Sequence, residues 1–147
     1  MNLLADTEVL IDKLACRAPY VDDVRRLCAA AYFGDISLWA TVQSYLDALH
    51  ALQGHVSSQE LREACVACTE FFVPCGLRGT DFVFALQSDW EDMENCVVAR
   101  SAENMAADYI LVHDACAFNL SRVKTITCAE ALELLKDRGA CYDDIAI

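Results

Sequence analysis

Ser88 to Phe118 is the stretch that decides the fold. It opens Ser88-Asp89-Trp90-Glu91-Asp92-Met93-Glu94-Asn95, runs on in a helical pattern to Ala106, and then reads Ala107-Asp108-Tyr109-Ile110-Leu111-Val112-His113-Asp114. Met93, Cys96, Val97 and Met105 recur at a spacing that suits one buried helix face. Tyr109 to Val112 is a short β-rich run without alternation, the pattern of a strand covered on both sides. A unit of this kind sets Asp92 near the N-terminus of a helix and Asp114 just past the C-terminal end of a strand. Sites in open α/β sheets gather at those strand ends, so the two carboxylates are candidates for one cleft.

Upstream of this unit, Asn2 to Ala5 reads as a first strand that turns at Asp6-Thr7-Glu8 into a helix with Val9, Leu10 and Leu14 on an apolar face. Ala18-Pro19 interrupts it, because proline disfavours helix at the preceding residue. Tyr20 to Tyr32 is helical by spacing and closes at Gly34-Asp35; Ile36 to Ala40 follows as a second strand. A third helix from Thr41 to Gly54 leaves Asp47 among apolar neighbours, where an acid is costly unless it is paired or binds a metal. Ser57 with Glu60 forms a capping-box signature for a helix running to about Phe71. Phe72-Val73-Pro74 reads as a short strand or extended link, and Asp81 to Gln87 as a helix with Phe82, Ala85 and Leu86 on one side.

Beyond Asp114 come a loop with Phe118, a short strand around Val123 to Thr127, a helix from Ala129 to Lys136 and an acidic tail from Gly139. Strands alternating with helices place the chain in the α/β class, with a parallel sheet flanked by helices. No repeat or linker interrupts the pattern, so residues 1–147 read as one domain.

Hydrophobic residues make up 56% of the chain, enough for a buried sheet and too many for disorder. No apolar run approaches the length of a membrane span, and the N-terminus lacks the basic flank and long apolar core of a signal peptide, so a cytoplasmic location is expected. The nine cysteines are odd in number and fall mostly at apolar positions, which predicts free, mostly buried thiols rather than a disulfide framework. Cys65 and Cys68, with Cys75 nearby, lack the further ligands of a tetrahedral metal set. The net charge of −12 disfavours broad binding to nucleic acid and suits either a carboxylate cluster holding divalent cations or a basic partner.

Four acids stand out together: Asp6 after the first strand, Asp47 in mid-helix, Asp92 at a helix start and Asp114 after a later strand. Each alone is ordinary. Asp92 by itself is a favourable charge at a helix N-terminus. Several carboxylates in one cleft raise one another's pKa, and a hard cation such as Mg²⁺ or Mn²⁺ relieves that repulsion.

On these residues the chain resembles the PIN-domain ribonucleases, in particular the VapC-like toxins of bacterial toxin–antitoxin pairs. The resemblance rests on Leu4-Ala5-Asp6-Thr7-Glu8-Val9-Leu10, on Thr41-Val42-Gln43-Ser44 followed by Asp47, on Asp89-Trp90-Glu91-Asp92, and on Ala107 to Asp114 with Phe118 behind. It implies a three-layer α/β/α domain with a short central parallel sheet, commonly a homodimer, and metal-dependent cleavage of RNA. Asp6, Asp92 and Asp114 match the family's metal-binding aspartates, with Mg²⁺ or Mn²⁺ as the cofactor. Asp47 matches the helical catalytic acid, usually Glu, and Thr7 the small hydroxyl beside the first aspartate.

The chain departs from the family pattern in four places. Glu8 stands where Asn is usual, Val112 where a hydroxyl residue is usual, His113 where Arg is common and Ala117 where a further acid is common. Asp47 is also one methylene short. The leading expectation is a metal-dependent endoribonuclease restrained by a basic antitoxin; the alternative is a catalytically lapsed PIN-like binding or assembly module. A receiver domain fits poorly, since no Lys directly follows Ile110 to Val112. A haloacid-dehalogenase phosphatase would want Asp-x-Asp where Asp6-Thr7-Glu8 stands.

Overall fold

A computed structural model describes residues 1–144; of the acidic tail, residues 145–147 lie outside the described residues. The elements run β1 (Asn2–Ala5), α1 (Thr7–Leu14), α2 (Val21–Tyr32), β2 (Ser37–Thr41), α3 (Val42–Leu52), α4 (Ser58–Thr69), β3 (Phe72–Cys75), α5 (Gly79–Leu86), α6 (Met93–Asn104), β4 (Tyr109–Leu111), a 3₁₀ turn (Ala115–Phe118), β5 (Thr125–Ile126) and α7 (Cys128–Asp137). The strands form one sheet in the order β3-β2-β1-β4-β5, and every pairing is parallel.

β1 is the central strand, and its side chains alternate between two apolar cores. Leu3 and Ala5 join Leu38, Ala40 and Leu111 beneath α1, α2, α3 and α7. Leu4 points the other way and meets Ile110, Val112, Val98, Ala99 and Ala102 under α6. A parallel strand buried on both faces needs apolar residues at every position, which is why Leu3-Leu4-Ala5 and Ile110-Leu111-Val112 show no alternation. Helices on both faces of the sheet give the expected three-layer α/β/α arrangement.

The helix starts follow from local chemistry. Ser57 and Glu60 form the expected capping box on α4, and Thr127 and Glu130 form a second one on α7. Thr41 ends β2 fully buried and accepts the Ser44 N–H at 2.9 Å, so it caps α3 directly from the strand. That bond fixes the angle at which α3, and Asp47 with it, leaves the sheet.

Three expectations need correction. On α5 the buried residues are Asp81 and Ala85, while Phe82 and Leu86 are 53% and 56% exposed. Asp81 turns inward because Arg100 Nε and Asn104 Nδ2 of α6 donate to its two oxygens at 3.2 and 2.6 Å. Met93 is exposed at the start of α6, whose inward face is instead Cys96, Val97, Val98, Ala99 and Ala102. All nine cysteines are free, yet Cys16, Cys116 and Cys141 are exposed because they lie after α1, in the 3₁₀ turn and in the tail.

Candidate active site

Because the strands are parallel, their C-terminal ends share one edge, and the chain leaves that edge at Asp6 after β1 and at Asp114 after β4. The Asp6 N–H donates to Leu111 O at 3.0 Å, continuing the ladder one step beyond the strands and holding the two exits side by side. Asp6, Asp47, Asp92 and Asp114 all line one cavity of about 440 Å³, with Thr7, Glu8, Glu94, Asn95, His113 and Ala117 around them. The sequence placed the four acids in four separate segments; the fold brings them to one place.

Three of these aspartates share a construction. Asp6 caps α1, Asp92 caps α6 and Asp114 caps the 3₁₀ turn. In each, Oδ1 accepts backbone N–H groups: Thr7 at 2.8 Å for Asp6, Glu94 at 2.9 Å and Asn95 at 3.1 Å for Asp92, and Cys116 at 2.8 Å for Asp114. The Oδ2 atoms take no hydrogen bond among the described residues. Capping therefore locks each carboxylate by one oxygen and leaves the other unengaged at the cavity. Two cross-links hold the second and third caps together. Asn95 Nδ2 donates to Ala117 O at 3.4 Å, and Trp90 packs edge-on to Phe118 with ring centroids 6.2 Å apart.

Asp47 is engaged differently. It lies half-buried on α3, where its Oδ1 accepts from Gln43 Nε2 at 2.8 Å and its Oδ2 is buried with no hydrogen-bond partner. Glu94, to which the sequence pattern assigns no role, lies against it. Burial, and after it the Asp47 carboxylate and Asp92, push the Glu94 carboxyl up to about 7, against the hydroxyl of Thr7 that donates to Oε1 at 3.4 Å. Burial is also the main cause that raises the Asp6 carboxyl, with Glu8 and Asp92 adding to it; the Thr7 N–H and His113 pull the other way. The cavity thus carries more negative charge than water alone screens well.

Around one side of the cavity runs a second network that the sequence did not reveal. Asp12 of α1 has no exposed surface, and its carboxylate pairs with Arg17 Nε at 2.6 Å and His113 Nε2 at 2.5 Å. Arg17 also donates to Glu8 at 2.6 Å, and the His113 ring stacks on Tyr20 at 4.1 Å between centroids. The one sequence signal for Asp12 is the same as for Asp47: an acid inside an apolar helical pattern.

A sequence comparison with curated proteins finds no match. A family model for the PIN domain matches residues 2–115. The chain belongs to the PIN-domain family. Among solved structures, this PIN domain is similar to VapBC-1 from nontypeable Haemophilus influenzae, with a TM-score of 0.64 at 13% identity over 88% of this chain and 99% of that one. It is likewise similar to FitAB in a structure bound to an IR36 DNA fragment, with a TM-score of 0.64 at 10% identity over 86% of this chain and 94% of that one.

The departures from the family pattern now have positions. Glu8 lines the cavity but is held by Arg17, and His113 is held by Asp12. Val112 is buried in the apolar cluster under α6, while Ala117 lines the cavity with no acid to offer. Among the described residues no three histidine, cysteine or acid side chains are already gathered closely enough to hold a metal ion. The donor chemistry nevertheless suits a hard divalent cation. Every candidate ligand is a carboxylate oxygen, three of them have an unengaged Oδ2, and the orphaned Asp47 Oδ2 marks a place where negative charge lacks compensation. No helix among the described residues is long and apolar enough to cross a membrane.

Proposed function

We propose that this PIN domain is a metal-dependent endoribonuclease, the toxin of a toxin–antitoxin pair, with residues 1–147 forming one domain. The observation that carries the reading is the convergence of Asp6, Asp47, Asp92 and Asp114 on one cavity at the C-terminal edge of the sheet. Asp6, Asp92 and Asp114 hold Mg²⁺ or Mn²⁺ through the oxygens that capping leaves unengaged, and Asp47 supports them from α3. The ion, when bound, lowers the pKa of a water and neutralises charge on a phosphoryl oxygen. The protein's own part is to fix the carboxylates by backbone N–H groups, so that little reorganisation is needed when the RNA phosphodiester arrives.

Charge and shape support an antitoxin partner. Beside the acidic cavity lies a groove of about 750 Å³ that shares Glu8, Ile11 and Ala51 with it; Leu14, Leu52, Val56 and Leu61 give it an apolar floor, with Arg17, His55 and Glu60 also in its lining. An amphipathic basic segment lying there would set an arginine over the carboxylates, a charge-assisted contact that blocks the cation and complements the net charge of −12. The exposed apolar side chains Phe82, Val83, Phe84 and Leu86 of α5 support a homodimer that covers them. The chain works in the cytoplasm, where RNA is met in a reducing medium that keeps its nine thiols free.

Cleavage of RNA with Mg²⁺ or Mn²⁺ by the wild type, Asp6→Asn and Asp92→Asn tests the reading. Loss of cleavage in both variants is expected; equal activity in all three rejects it. The lapsed-module reading draws on the departures Glu8, Val112 and Ala117, of which Glu8 is held by Arg17 and Ala117 brings no acid to the cavity, and calorimetry with Mn²⁺ separates the two. Tight binding abolished by Asp114→Ala excludes a lapsed site.

A further inference from the structure

We propose that the cavity between α5 and α6 receives the base of a nucleotide beside the cleaved bond of the RNA, with Arg78 meeting a flanking phosphate. The inference rests on the ribonuclease reading above and deepens it, since it assigns a substrate subsite next to the acidic cavity. The two cavities are joined. Glu94 lines both, and Gln43 of the second donates to Asp47 Oδ1 of the first at 2.8 Å. Met93, the residue after Asp92, also lines the second. A strand whose phosphodiester lies on the carboxylates therefore meets this space at a neighbouring nucleotide.

The space has a volume of about 530 Å³, in the usual range for small-ligand sites. Its walls are apolar: Leu77, Met93 and Val97, with Phe82 on the α5 side. Leu77 and Met93 are each 39% exposed, so they offer uncovered surface on which a base can lie flat. Gln43 Nε2 is taken by Asp47, which leaves its Oε1 without a partner among the described residues and able to accept from a base edge.

Arg78 supplies the charge that the carboxylates cannot. Arg17 is spent on Asp12 and Glu8, whereas the one side-chain bond of Arg78 among the described residues goes to a neutral amide, Asn104 Oδ1, at 3.1 Å. The buried Asp81 takes Asn104 Nδ2 at 2.6 Å and so turns that amide oxygen toward Arg78. Asn104 ends α6 and Glu94 is its second residue, so the guanidinium is held toward the opposite end of the helix from the carboxylates. The antitoxin groove meets the acidic cavity elsewhere, at Glu8, Ile11 and Ala51.

Cleavage of a single-stranded oligoribonucleotide with Mn²⁺, and of the same strand with an abasic ribose at each position in turn, tests this in the wild type, Leu77→Asp and Arg78→Gln. Removing the base at one position beside the cleaved bond is expected to lower the wild-type kcat/KM roughly tenfold. Leu77→Asp is expected to lower it by a similar factor on the intact strand but by less than about twofold on that abasic strand, because both changes remove the same contact. Arg78→Gln is expected to weaken the salt dependence of KM, as loss of a phosphate contact does. A rate indifferent to base removal at every position, or an equal loss from Leu77→Asp on both strands, overturns the subsite and leaves the ribonuclease reading standing. Wild-type salt dependence in Arg78→Gln overturns the phosphate contact. A wild type that cleaves no RNA overturns both readings.

Discussion

His113 Nε2 stands 2.5 Å from Oδ2 of Asp12, a carboxylate with 0% exposure that also takes Arg17 Nε at 2.6 Å. A buried charge with two partners loses most when the permanently charged one is removed. Arg17→Met is therefore expected to destabilise the fold by roughly 2–3 kcal/mol, below the loss for a fully buried pair because water reaches the guanidinium. Urea unfolding of the variant against wild type measures it. A change under about 0.5 kcal/mol would mean that Asp12 is adequately held by His113 alone.

The capping role of the site aspartates makes the choice of substitution decisive. Asp92 Oδ1 accepts from both Glu94 N and Asn95 N, a job asparagine does as well as aspartate. Asp92→Asn is expected to keep the wild-type unfolding midpoint while removing the charge, whereas Asp92→Ala costs about 1 kcal/mol of helix capping. Thermal unfolding of the two variants side by side checks this. Equal stability in both would show that the cap contributes nothing to α6.

Stability depends on pH through Glu94. Its carboxyl is raised in the folded state from 4.5 to about 7, so the folded protein binds this proton more tightly than the unfolded chain. The stabilisation is complete below the lower value and is lost as pH rises through the upper one; Asp6, also raised, adds in the same direction. In chelator, the wild type is expected to lose stability relative to Glu94→Gln between about pH 5 and about pH 8. Urea midpoints of the pair that run parallel across that range would contradict a raised Glu94 carboxyl.

The outer face of α5 bears on assembly. Phe82 lines a cavity of about 530 Å³ with Leu77 and Met93, and Val83, Phe84 and Leu86 are exposed on the same helix. Phe82→Asp together with Leu86→Asp is expected to convert a dimer into a monomer in light scattering without loss of fold, since neither side chain belongs to the cores. An unchanged mass would place the dimer contact elsewhere or remove it.

What could be read from the chain alone divides along a physical line. Asp6, Asp92 and Asp114 were legible because each marks a local event, a strand ending or a helix beginning, and Asp47 because it breaks an apolar pattern. Glu94 was not, because its partners Asp47 and Thr7 lie far along the chain, and Asp12, though it breaks an apolar pattern as Asp47 does, gives no sign in the sequence that it pairs with His113. The parallel sheet was legible in unbroken apolar runs such as Leu3-Leu4-Ala5. The inward face of α5 was not, since periodicity favours Phe82 and Leu86 while the tertiary ion pair of Asp81 with Arg100 turns the helix the other way. Apolar spacing reports what a helix could bury, and a paired acid changes which side it does bury.

Anomalous diffraction from a crystal soaked in Mn²⁺ tests the central claim most directly. One or two manganese peaks are expected in the acidic cavity, with carboxylate oxygens of Asp6, Asp92 and Asp114 within about 2.5 Å of the metal. A cavity without a peak at saturating Mn²⁺, or manganese bound away from these three side chains, would contradict a metal-dependent active site.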